Sequence, residues 1–238
     1  MVNNSFFITS TGTNIGKTYC TVEIIKTLIK KKIQVNPYKP ILSGFNNKKI
    51  KESDSYKILR PIKKNIYINN IKSITPWLFK NALAPSLAAE KENKKLDYKK
   101  VFNWCLDRIN EKNNVKSINI IEGAGGILVP IEKDKTILDL ITDLRIPVVL
   151  VVGNYLGSVS HTLSVIKNIQ HYKLNIINII INQNNDNDLD IDDTKKLIDT
   201  SLKSKIVIRK IYKKSNYKSE EFQLIINDIL NYFQYKLA

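Results

Sequence analysis

Near the N-terminus, Gly16-Lys17-Thr18 follows an apolar run, Phe6-Phe7-Ile8, and a polar turn, Thr9-Ser10-Thr11-Gly12-Thr13-Asn14-Ile15. A glycine, an ammonium and a hydroxyl in that order, between a strand and a helix, can hold a polyphosphate. Backbone N–H groups at the helix start wrap phosphate oxygens, Lys17 reaches the terminal phosphates, and the Thr18 hydroxyl ligates Mg2+. Gly16 lets the backbone come close to the anion. The spacing departs from the usual phosphate loop, because the glycine expected five places before Gly16 is Thr11, and Gly12 sits one place late. A bare Gly-Lys-Thr at a helix start is more often incidental than functional. Here the context decides for nucleotide binding: a buried-type strand precedes the turn, and Ile24, Ile25, Leu28 and Ile29 form one helical stripe after it.

Other stretches carry side chains fit for the same chemistry. In Val35-Asn36-Pro37-Tyr38-Lys39-Pro40-Ile41-Leu42-Ser43-Gly44 a Lys stands where an apolar segment stops, and a hydroxyl follows four residues later. A solvated Lys is the bland alternative in this Lys-rich chain, but Pro40 and Gly44 mark a shaped loop. In Ile118-Asn119-Ile120-Ile121-Glu122-Gly123-Ala124-Gly125-Gly126 an acid directly follows an apolar strand, as the second metal ligand of a phosphate-loop enzyme does. The adjacent glycines let the backbone approach phosphates. Asp54 lies near a helix start, where a carboxylate can also serve first-turn N–H groups. Asn182 is supported only by its place at a strand end. The helix start at Gly157-Ser158, after Leu156, offers a further anion site suited to a substrate carboxylate, whereas His161 reads as a structural hydrogen-bonding residue.

The elements that must position these groups alternate. Strands are expected at about Ser5 to Thr9, Val35 to Lys39, Ser117 to Glu122, Val148 to Val152, Ile176 to Asn182 and Ile206 to Ile208. Helices are expected at Lys17 to Lys31, Ser53 to Arg60, Ala84 to Lys91, Tyr98 to Lys112, Leu138 to Leu144, Ser158 to Tyr172, Asp192 to Ser204 and Ser219 to Tyr235. Continuous apolar strands alternating with helices predict an α/β fold of three layers, a mostly parallel sheet flanked by helices. Ligands of such sheets bind at the carboxyl ends of the strands, which gathers Lys39, Ser43, Glu122, Gly153 to Ser158 and Asn182 near Gly16-Lys17-Thr18.

At 238 residues, with no Pro/Gly/Ser-rich linker, residues 1–238 read as a single domain. No apolar run reaches the length of a membrane span and no signal-peptide pattern is present, so a cytosolic protein without membrane contact is expected. Cys20 and Cys105 are far apart, lack metal-ligand spacing, and read as buried thiols of a reducing compartment. The formal charge of +16 raises nucleic-acid binding as an alternative. Yet Arg60, Arg108, Arg145 and Arg209 are the only arginines among 38 basic residues. The Lys excess is scattered among Asn and Ile, all with A/T-rich codons, and no nucleic-acid-binding signature appears. Phe222-Leu224-Ile225-Ile226-Ile229-Leu230-Phe233 reads as one face of a core-packing helix.

In their order, these pieces resemble dethiobiotin synthetase over nearly the whole chain. The resemblance is carried by Phe6 to Thr18, Tyr38-Lys39-Pro40 with Ser43-Gly44, Ser53-Asp54, Glu122 to Gly126 with Pro130, Pro147 to Gly153, and Leu156-Gly157 with His161. It implies a cytoplasmic, homodimeric enzyme with a P-loop NTPase-like fold. It also implies ATP- and Mg2+-dependent carboxylation of 7,8-diaminononanoate by CO2 and closure of a five-membered ureido ring. By the same resemblance Lys17 and Lys39 would be catalytic, and Thr18, Asp54 and Glu122 would hold Mg2+. The nucleotide would meet Thr13, Asn14, Ile15, Gly16, Lys17, Thr18 and Tyr19, then Asp54, Glu122, Gly123, Ala124 and Gly125, with Asn182, Gln183, Ile211 and Tyr212 around the adenine. Thr13, Lys39 and Ser43 would bind the diamine and its carbamate, and Leu156, Gly157 and Ser158 its distal carboxylate at a dimer interface.

The chain departs from the family's pattern at Ser10, where the first loop glycine is usual, at Asn14, where an acid is common, and at Ser160, where Asn precedes the His. The usual proline near Lys210-Ile211-Tyr212 is missing. A partitioning-type ATPase is a related reading, but the extra Lys that group carries at the start of the loop is absent. A basic nucleic-acid-binding module without catalysis is a reading from another class, and a cobyrinate-type amide ligase would need a glutamine-hydrolysing domain for which the chain has no room.

Overall fold

The computed structural model describes residues 4–111, 117–183, 189–202, 205–213 and 218–234. The first unit is strand β1 (Ser5–Ser10), helix α1 (Lys17–Lys30) and strand β2 (Gln34–Tyr38). An arm follows, made of the short strand β3 (Ile41–Leu42), a 3-10 turn at Asn47–Glu52, α2 (Asp54–Leu59), α3 (Ile68–Ile74), β4 (Trp77–Leu78) and α4 (Pro85–Lys91). Then come α5 (Tyr98–Asn110), the long strand β5 (Ser117–Gly126), a small hairpin of β6 (Pro130–Glu132) and β7 (Lys135–Thr136), α6 (Ile137–Leu144) and β8 (Val148–Gly153). The chain continues with α7 (Ser158–His171), β9 (Ile176–Asn182), α8 (Ile191–Ser201), β10 (Val207–Ile211) and α9 (Lys218–Tyr232).

Six strands form one sheet in the order β10-β9-β8-β1-β5-β2. Every pairing in it is parallel. β1 and β8 are buried along their whole length, as expected of apolar runs covered on both faces. The chain steps outward from β1 to β2, then returns through β5 and crosses β1 to β8. Because parallel crossovers are right-handed, this reversal carries α5 to α8 to the face opposite α1 and α9. The packing agrees: α1 meets α9, α5 meets α6, and α7 meets α8. The reversal also makes the carboxyl end of β1 the switch point of the sheet, where a crevice opens for ligands.

All the expected strands are present, with β5 running on through its glycines to Gly126 and the last strand spanning Val207–Ile211 rather than Ile206 to Ile208. The expected helix ends at Lys112, Ser204 and Tyr235 lie outside the described residues. Helix α3 and the two small strand pairs were not expected. They are too short for a clear period, and α3 buries only Ile71 and Ile74. Phe222, Ile225, Ile226, Ile229, Leu230 and Phe233 of the C-terminal segment are buried, and Leu224 is exposed. Both cysteines are buried free thiols, pushed up by desolvation. No helix among the described residues is long and apolar enough to cross a membrane.

One polar network ties α9 to the sheet. Asp228 accepts from Nδ2 of the fully buried Asn178 at 2.7 Å and takes both Nε and Nη2 of Arg209 at 2.8 Å. Asp228→Ala strands the Asn178 amide and the guanidinium, so urea unfolding is expected to show a loss of about 1–3 kcal/mol. A change under about 0.5 kcal/mol would contradict this account of the α9 contact.

Candidate active site

The segment between β1 and α1 forms the floor of the crevice. Asn14 and Gly16 both adopt left-handed backbone, with φ of 60° and 96°. Alternation of this kind turns successive N–H groups inward into an anion-binding concavity. Gly16 caps α1 without any side-chain cap, so the first amides of the helix have no partner from a capping side chain. A Cβ on Gly16 would also stand 2.1 Å from Nδ2 of Asn182, which explains the glycine twice over. That Asn182 amide donates to the Ile15 carbonyl at 2.9 Å. β9 thus fastens the C-terminal half of the loop.

The carboxylate of Glu122 is fully buried at the centre of the site. Its Oε1 accepts from Lys39 Nζ at 2.7 Å and from Thr18 Oγ1 at 2.8 Å. Lys39, itself 2% exposed, also donates to the Gly123 carbonyl at 3.2 Å and lies 3.4 Å from Asp54 Oδ2. Burial alone would lower the Lys39 pKa, but Glu122 and Asp54 outweigh it and hold the ammonium above its ordinary range. Lys17 has no such close partner. Desolvation, reinforced by repulsion from Lys39, brings it down to about 8 against the pull of Glu122 and Asp54. The two lysines differ in kind: Lys39 is a fixed cation, and Lys17 has charge left to be claimed by an incoming anion.

Lys17, Thr18, Lys39 and Asp54 open on one cavity of about 880 Å3. It is lined by Thr13, Asn14, Gly16, Lys17, Thr18, Tyr19, Lys39, Ser43, Asp54, Ala124 and Gly125 from the expected set, together with Ile41, Leu42, Ala82, Leu83, Ala84, Pro85 and Val129. The second, largely apolar group was missed by sequence reasoning. Only Pro85, at the first turn of α4, signalled a shaped loop there. Ser43 Oγ is buried without a hydrogen-bond partner. Ile15, Glu122 and Gly123 do not line the cavity.

The remaining expected residues stand elsewhere. Asn182 is 4% exposed and spent on Ile15. Ile211 is buried, and its carbonyl accepts from Gln183 N at 2.9 Å. Tyr212 donates its hydroxyl to Asp192 at 2.9 Å. Leu156 is 89% exposed, Gly157 has open space where a Cβ would point, and Ser158 is buried at the start of α7. None of the three lines the cavity. His161 bonds Tyr155 through Nδ1 at 2.8 Å, as a structural residue would.

Could these residues hold a divalent cation? Glu122 Oε2 is buried and unpartnered, an orphaned oxygen on the carboxylate whose other oxygen accepts from Thr18 Oγ1. Among the described residues no group of three or more His, Cys, Asp or Glu gathers as a cage. Mg2+ keeps waters and takes one or two carboxylates plus phosphate oxygens, a set that Thr18, Asp54 and the free oxygen of Glu122 could join. The donor set fits.

The Lys39–Glu122 pair generates a stability prediction. Lys39→Met leaves a buried carboxylate uncompensated and is expected to cost about 3–5 kcal/mol in urea unfolding. Adding Glu122→Gln should recover part of that loss. A double variant less stable than Lys39→Met alone would contradict the pairing.

A family model described as an AAA domain matches residues 4–218. The chain is 32% identical over 184 residues to the ATP-dependent dethiobiotin synthetase BioD of Phenylobacterium zucineum, covering 76% of each protein. With the enzyme of the same name from Legionella pneumophila strain Corby it shares 30% over 207 residues, covering 87% of this chain and 93% of that one. Among solved structures it resembles the MinC:MinD cell division protein complex of Aquifex aeolicus, with TM-score 0.54, 15% identity, and 99% and 98% of the two chains covered. It also resembles the cell division ATPase MinD of Pyrococcus furiosus, with TM-score 0.53, 11% identity, and 96% and 99% covered. At those identities the structural likeness speaks for the fold alone. The sequence relatives speak for more: the chain belongs to the ATP-dependent dethiobiotin synthetase family.

Proposed function

We propose that this protein carboxylates 7,8-diaminononanoate with CO2 and closes the ureido ring of dethiobiotin at the expense of ATP. The observation that carries this reading is the meeting of Lys17, Thr18, Lys39 and Asp54 around one cavity, with the buried Glu122 carboxylate bonded to both Thr18 and Lys39, in a chain of this family. One amine of the substrate adds to CO2 and loses a proton, giving a carbamate. A carbamate oxygen then attacks the terminal phosphorus of ATP, the bond to the bridging oxygen breaks, and ADP leaves. The second amine attacks the carbonyl carbon of the mixed anhydride, inorganic phosphate leaves with the C–O electron pair, a proton is released, and the ring is closed.

The difficulty is charge, since an anionic oxygen must approach an anionic phosphoryl group. Lys17 at the head of α1 is the group fit to reach the transferring phosphoryl. Lys39 and the Ser43 hydroxyl are suited to orient the carbamate. Positioning and electrostatic stabilisation supply most of what such a reaction needs. Thr18, Asp54 and Glu122 would hold Mg2+, which when bound neutralises phosphate charge. Ile41, Leu42 and Ala82 to Pro85 give the methylene chain of the diamine an apolar wall. Leu156, Gly157 and Ser158 do not line this cavity, so their reading as a carboxylate site requires a second copy of the chain.

The test is formation of dethiobiotin, detected by mass, from the diamine, bicarbonate, Mg2+ and ATP with purified protein. Wild type is expected to form it, with one ADP released per product. Lys39→Met, assayed below its unfolding transition, should still bind ADP and lose about 10²- to 10³-fold in kcat. No product from the wild type would contradict the reading, as would undiminished turnover by the variant.

A further inference from the structure

We propose that Ser10 is a positioning residue whose buried hydroxyl clamps the loop between β1 and α1 onto the glycine strip after Glu122, holding the loop ready for a nucleoside di- or triphosphate. Ser10 is the last residue of β1 and is fully buried. Up to Ile8, which pairs with Glu122, β1 and β5 run in register. The pairing then slips, and Ser10 lies opposite Gly126. The slip draws the tail of β5 across the start of the loop. A Cβ on Gly126 would stand 3.3 Å from the Ser10 carbonyl oxygen and 3.6 Å from Gly12 N, so the two backbones nearly touch.

In that gap the Ser10 hydroxyl donates to the Gly12 carbonyl at 2.6 Å and reaches the Gly125 carbonyl at 3.3 Å. Its oxygen accepts from Lys17 Nζ at 3.5 Å. The start of the loop, the glycine strip and the first residue of α1 therefore converge on one oxygen atom. Without it, the Gly12 and Gly125 carbonyls lose the donor they share. A loop ordered in advance does not charge its ordering entropy against ligand affinity. Once a polyphosphate is bound, its own contacts with the loop amides take over that task. The hydroxyl should consequently affect nucleotide affinity and KM far more than kcat.

The inference rests on the loop being the nucleotide site, as proposed above, and not on the identity of the amine substrate. The test compares wild type, Ser10→Ala and Ser10→Gly by calorimetric ADP titration, by steady-state turnover at varied ATP, and by peptide-level hydrogen exchange. Alanine keeps the strand's backbone restraint and glycine removes the hydroxyl with the least steric risk, and unchanged exchange in the β9 and α9 peptides shows that a variant is folded. Both variants are expected to bind ADP about three- to tenfold more weakly and to raise KM for ATP to match, with kcat within about twofold of wild type. The peptide spanning residues 11–16 should exchange faster while peptides of β9 and α9 do not. Unchanged ADP affinity in either variant would overturn the proposal, and so would a fall in kcat at constant KM. Wild type that bound no ADP would overturn the nucleotide reading itself, an outcome visible before any variant is made.

Discussion

A carboxylate removed from water must be matched by charge and hydrogen bonds, and the site is arranged around that requirement at Glu122. Its side chain is fully buried, and an uncompensated charge there would cost several kcal/mol. Lys39 and Thr18 converge on one of its oxygens while the other stays unpartnered. Half of the carboxylate is thus used to order the protein, and half is left without a hydrogen-bond partner. The same field accounts for the divergence of the two lysines. Lys39 is held charged by two acids, and Lys17, close to Lys39 and dry, is brought down to about 8. An anion arriving at Lys17 supplies the partner that Lys39 already has.

The sheet order makes this arrangement possible. β1 has β5 on one side and β8 on the other, so a loop leaving β1 lies beside the glycine strip that ends β5, four residues beyond Glu122. β2, beyond β5, delivers Lys39 from the far side at the same level. β9 contributes Asn182 from two strands away, and its amide locks Ile15 from behind. Elements distant in sequence each send one side chain to the switch point, and α1 begins where they meet.

Much of this was legible in the residues. Continuous apolar strands announced the parallel sheet, and the strand-end rule brought Lys39, Ser43, Glu122 and Gly16-Lys17-Thr18 to one place because it depends on topology rather than on any one motif. What could not be read was the use made of each polar group. Asn182 occupies a strand end, as expected, but whether it turns outward or toward the loop depends on the backbone of Gly16, which no periodicity encodes. Ser10 is a departure in a motif on paper; in three dimensions it is a three-way hydrogen-bond junction. The wall formed by Ile41, Leu42 and Ala82 to Pro85 escaped because it comes from segments too short to show a period. Leu156 and Gly157 stood out in the sequence and stand apart from the cavity in the folded chain.

The central claim is that the free half of the Glu122 carboxylate is a cation receptor completed by a bound nucleotide. The most direct measurement is Mn2+ binding followed by electron paramagnetic resonance, with ADP present, in wild type and in Glu122→Gln. The account predicts one Mn2+ per chain for the wild type, dependent on ADP, and an affinity at least about tenfold lower in the variant, the loss of one charged ligand being worth more than about 1.4 kcal/mol. Equal Mn2+ affinity in the two proteins would contradict it.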